Sequence, residues 1–124
     1  YTFMPHYAVD GLFKIHVLGN GCMMYFTRKA IETVGGFDTA YGIGKYEHVD
    51  LSRRIHNAGL TPHRFMDVMG SDKLFHAMDE RHEIERTLTQ AEIRQQLKQG
   101  RRHFYANEKS TQYIEYRESV NQIA

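Results

Sequence analysis

Four consecutive residues, Glu47-His48-Val49-Asp50, put two carboxylates and an imidazole within one helical turn, directly after a glycine-bearing loop. Acidic side chains at a helix start meet unpaired N–H groups and the positive end of the helix dipole, so the plainest reading is a favourable helix terminus. The chemical reading is that Glu47 and Asp50 face a substrate from a rigid helix start. His48, titrating near neutral pH, would then move a proton. His48 and His56 stand two helical turns apart and so share a side of one helix, but no third ligand lies nearby to complete a zinc site. The cluster Asp79, Glu80, His82, Glu83 and Glu85 reads as solvated surface. The run Arg101-Arg102-His103-Phe104-Tyr105 interleaves cations with aromatics, yet acidic neighbours argue for ordinary surface there too.

Elements must hold these groups. Residues 1–12 read as loop or short strand with a turn signal at Asp10-Gly11. Phe13 to Phe26 reads as strand broken at Gly19, Asn20 and Gly21, and the glycine pair lets something approach the backbone. Thr27 is an N-cap for a two-turn helix through Val34 that Gly35 stops. A second helix runs from about Glu47 to Ala58, with Leu51, Ile55 and Ala58 on one apolar stripe and Gly59 beyond it. Leu60 to Met69 is extended, and Lys73 to His76 a short strand or loop. Thr89 and Glu92 form a capping box for a helix that Gly100 ends, and Tyr113, Tyr116, Val120 and Ile123 space out a terminal helix.

The 124 residues hold one core, and 41% hydrophobic with 25% charged residues describes a chain that folds rather than a disordered tail. A net charge of +1 supplies no broad field for nucleic acid. No apolar stretch is long enough to span a bilayer, and no leader is evident. The lone Cys22, in an apolar run, reads as a buried thiol in a reducing, cytoplasmic compartment. The opening at Tyr1 reads as the middle of a longer protein.

Several motifs occur in register: Met24-Tyr25-Phe26-Thr27-Arg28-Lys29-Ala30-Ile31, Gly35-Gly36-Phe37-Asp38, Tyr46-Glu47-His48-Val49-Asp50-Leu51-Ser52-Arg53-Arg54-Ile55 and Ala58-Gly59-Leu60. Together they resemble the C-terminal half of a bacterial-type GT-A nucleotide-sugar glycosyltransferase, nearest to family 2 and the galactosyltransferase C-terminal domain. The resemblance covers roughly residues 19–76. It implies an α/β fold with few short strands and three to four helices, residues 1–86 forming the acceptor-side core and residues 87–124 a helical extension. It implies that Glu47 and Asp50 hydrogen-bond a saccharide or other hydroxyl acceptor, that His48 occupies the position of the base, and that His76 binds Mn²⁺ or Mg²⁺. It also implies that Gly19 and Gly21 let the acceptor reach the backbone and that the Gly42 to Gly44 loop closes over the donor. Tyr46, with Tyr41, would stack on a sugar, unless both pack in a core. Arg53 would meet the diphosphate, although pairing of Arg53 or Arg54 with Glu47 or Asp50 explains at least one of them.

The chain departs from the family in two places. His48 stands where inverting members carry Asp and retaining relatives Asn, and no Asp-x-Asp motif for the metal and the sugar nucleotide occurs. A nucleotide-binding half upstream would supply that motif, and this stretch alone would be inactive. The alternative is a non-catalytic interaction module with a capped acidic helix. A cut sheet edge could also drive self-association into a homo-oligomer.

Overall fold

The turn at Asp10-Gly11 joins two antiparallel strands, β1 (His6–Asp10) and β2 (Phe13–His16), in a register that sets Asp10 opposite Phe13 and Ala8 opposite Ile15. The computed structural model describes residues 6–17, 24–42, 46–74 and 88–116. The extended segment expected after Pro62 contributes β3 (Met66–Val68), which pairs antiparallel with β2 and completes a sheet of order β1-β2-β3. Pleating puts Ala8, Ile15 and Met66 side by side on one face, and Ile15 is buried there. β2 ends at His16. Met24 to Phe26, expected to continue it, is not a strand, because Phe26 packs instead on the helical core. Gly19, Gly21 and Cys22 lie outside the described residues.

Two helices form that core. Helix α1 (Arg28–Val34) begins where the Thr27 hydroxyl accepts the Ala30 N–H, and it ends at Gly35, whose φ of 73° turns the chain while its N–H still bonds Ile31. Helix α2 (Glu47–Asn57) turns Leu51 and Ile55 onto Ala30 and Val34, with Phe26, Ala58 and Leu60 closing the edges. Val34 and Leu51 have almost no exposed surface, and each contributes about 1.5–3 kcal/mol by leaving water.

Helix α3 (Gln90–Ala106) starts with the expected capping box: Thr89 Oγ1 accepts the Glu92 N–H, and the Glu92 carboxylate accepts the Thr89 N–H at 2.8 Å. Thr89→Ala should cost about 1 kcal/mol, read as a lower urea midpoint with the slope unchanged. The helix does not end at Gly100. It runs on to Ala106, and Gly100 is buried because the Tyr46 ring packs so close that an added Cβ would lie 3.2 Å from it. That glycine marks a close approach rather than a stop.

The terminal helix expected from Ser110 is also absent over residues 110–116. There the backbone pairs in parallel with the end of α1: Ile114 donates to Val34 O at 3.1 Å and Gly36 donates to Ile114 O at 2.8 Å. Pairing to a neighbouring segment satisfies these groups better than a short exposed helix would. Ser71–Lys73 forms a single 3₁₀ turn, while His76, the acidic cluster at 79–85 and residues 117–124 lie outside the described residues. The described chain is thus a mixed α/β structure with three α-helices and one antiparallel sheet, and no helix in it is long and apolar enough to cross a membrane.

Candidate functional site

Asp50 sits one turn into α2 and is 2% exposed. Its two oxygens are taken by neighbours on the same helix, Arg53 Nη2 at 2.6 Å and Arg54 Nε at 2.7 Å, and Tyr41 donates its hydroxyl to it at 3.0 Å. Burial, with the Asp50 carboxylate beside it, pushes the Tyr41 phenol well above its ordinary value, so it stays a donor. The arginines then reach outward. Arg54 bonds the carbonyls of Val34, Gly36 and Gln112, while Arg53 bonds that of Phe104 and lies 3.8 Å over the Phe104 ring. One carboxylate therefore organises two guanidinium forks that tie α1, α3 and the 110–116 segment to α2.

This arrangement corrects two expectations. Asp50 does not offer its carboxylate to an acceptor hydroxyl, because three donors inside the fold occupy it. Arg53 is fully buried and does not meet a diphosphate, and ion pairing with Asp50 accounts for both arginines. Tyr41 is buried as well, and Tyr46 is half-buried with its ring 5.3 Å from that of Phe104.

Glu47 and His48 remain at the rim. Their side chains are 28% and 20% exposed, and Glu47 Oε1 lies 3.5 Å from His48 Nδ1. Tyr46 occupies the N-cap without a side-chain cap bond, so the first turn of α2 keeps its partial positive charge beside this pair. Residues 43–45 of the preceding loop, including Gly44, lie outside the described residues. What the structure brings together from the expected site is thus Glu47 with His48. It assigns Asp50 and Arg53 to the interior and does not describe Gly19, Gly21 or His76.

Pairs of histidine and aspartate that lie far apart in sequence went unnoticed in the motifs. His103 Nε2 is 2.8 Å from Asp38 Oδ2. Burial would raise the Asp38 pKa, but the hydrogen bonds from His103 and the Ala40 N–H outweigh it and hold it below the usual value. His63 meets Asp10 at 2.8 Å, and His16 Nε2 lies 3.1 Å from Asp67. His56 sits in the last turn of α2 with Nδ1 3.1 Å from the Thr61 carbonyl, so it shares no ligand with His48. Among the described residues no three His, Cys, Asp or Glu side chains are grouped to hold a metal ion.

Two cavities accompany these groups. One of about 460 Å³ is apolar, walled by Phe26, Ile31, Phe37, Leu51 and Tyr116. The other, about 470 Å³, lies among β2, the end of α2 and residues 62–65. Neither is lined by Glu47 or His48. Compared with known proteins, the chain matches no protein-family model, no curated protein and no solved structure.

Proposed function

We propose that this chain is the acceptor-side portion of a glycosyltransferase that moves a sugar from a nucleoside-diphosphate donor to a hydroxyl acceptor. The observation that carries the reading is the Glu47–His48 pair, held at the rim of α2 by a helix whose next turn is anchored through Asp50 to three other segments. In this reading the His48 imidazole takes the proton of the acceptor hydroxyl as its oxygen attacks the anomeric carbon. The bond from that carbon to the diphosphate oxygen breaks, and the nucleoside diphosphate leaves with the electron pair. Glu47 stabilises the imidazolium and orients the ring. The rigid anchor keeps the pair in one geometry, which is what proximity catalysis requires.

A divalent metal would offset charge on the leaving diphosphate. The described residues do not supply a site for one, since the resemblance draws a single ligand, His76, from this chain and the rest from a nucleotide-binding half upstream.

Glu47→Gln tests the role of the carboxylate. In the full-length protein, assayed against a panel of nucleotide sugars, it should lower turnover roughly tenfold to a hundredfold while leaving donor KM near the parent value. Unchanged turnover would remove Glu47 from the chemistry. The second reading, an interaction module without catalysis, is favoured by the burial of Asp50, which makes one of the two acids structural. It predicts no transfer to any acceptor.

A further inference from the structure

A buried imidazole at the end of β2 lacks a hydrogen bond among the described residues. His16, at the end of β2, is 8% exposed. Its Nδ1 has no partner among the described residues, and Nε2 stands near Asp67 without hydrogen-bond geometry. Such an orphan calls for water or a ligand nearby. His16 lines the cavity of about 470 Å³ together with His56, His63 and Arg64, while Val17 and Phe65 add apolar wall. That volume falls within the range of small-molecule sites, and the mixture of apolar wall with a few convergent polar groups is their usual composition.

The charges decide the class of ligand. Arg64 is exposed and makes no ion pair among the described residues, so a permanent cation stands at the mouth. His56 has its Nδ1 engaged by the Thr61 carbonyl, which fixes the ring. Among the described residues, Asp10 and Asp67 each face a histidine of the lining, at 2.8 and 3.1 Å, and do not themselves line the cavity. Every ionisable side chain in the lining, among the described residues, is therefore basic.

We propose that this cavity binds a small soluble phosphate monoester, with the phosphoryl group on Arg64 and the imidazoles, and the organic part against Val17 and Phe65. Bidentate contact with phosphate oxygens suits a guanidinium. The site is separate from the Glu47–His48 pair, which lies at the opposite end of α2, eight to nine residues from His56 and so about 12–14 Å away along the helix axis at 1.5 Å per residue. It does not depend on the transferase reading.

Calorimetry on the full chain with phenyl phosphate, inorganic phosphate and phenol tests it. Phenyl phosphate should bind saturably and roughly tenfold tighter than inorganic phosphate, because its ring leaves water, and phenol should not bind. Arg64→Gln should weaken phenyl phosphate at least about tenfold without moving the melting temperature, since Arg64 is exposed. His56→Gln should weaken it too. No saturable heat with any probe, or an Arg64→Gln affinity within about twofold of the parent, would overturn the proposal and leave the cavity to water.

Discussion

Asp50→Ala should destabilise the chain by about 3–5 kcal/mol, the cost of leaving buried cations without their counter-charge. Two guanidinium groups lose it at once, because Arg53 and Arg54 both bond the same carboxylate and both are almost wholly buried. The Tyr41 hydroxyl loses its acceptor as well. A domain of this size has only about 5–15 kcal/mol of stability, so the variant should sit near its unfolding transition at 37 °C. Urea titration followed by circular dichroism reads this directly. Asp50→Asn should be nearly as harmful, since the amide keeps an acceptor but not the charge. A midpoint within about 0.3 M of the parent for either variant would mean that water or rearranged neighbours satisfy the arginines, and the clamp would lose its structural role.

Gly35→Ala should cost about 2–3 kcal/mol for two independent reasons. The backbone there has φ of 73°, which an alanine adopts only with strain. An added Cβ would also collide with the backbone of Ile114, the residue whose carbonyl accepts the Gly36 N–H. Both effects act on the same seam, where the 110–116 segment pairs with the end of α1. Hydrogen exchange should therefore show the Gly36 and Ile114 amides losing protection together while those of α2 change little. Continued protection at both amides would show that the pairing survives the added Cβ and that the glycine is not required there.

Local signals explain what was legible in the sequence. The Thr27 cap, the Gly35 stop and the Thr89–Glu92 box are settled within a few residues, and each appears in the structure as its residues predict. The pairing of Asp50 with Arg53 and Arg54 follows the same helical spacing. What those arginines do next was not legible, because Val34, Phe104 and Gln112 are 20 to 58 residues away in sequence. Gly100 misled for a related reason. Glycine after a helical stretch resembles a stop, but here it serves the approach of Tyr46 from a distant segment. Tyr113 and Tyr116 carry helical spacing, yet the backbone of residues 110–116 found better partners on α1 than in itself.

The candidate site divides along the same line. Glu47 and His48 are adjacent in sequence, so their pairing needed only the helix start to be recognised. Asp50, two positions beyond His48, carries the same acidic signal in the sequence, although its partners draw it into the interior. The basic cavity assembles His16, His56, His63 and Arg64 from a strand, a helix and a loop. No spacing rule joins those positions, so only the fold discloses it.

Sugar-transfer turnover of the full-length protein carrying His48→Ala, measured beside its melting temperature, decides whether this imidazole takes the acceptor proton. Turnover should fall by about 10²–10⁴ with the melting temperature within about 2 °C of the parent, because a half-buried rim imidazole supports chemistry rather than the core. Turnover within about threefold of the parent, with the protein folded, would contradict that role.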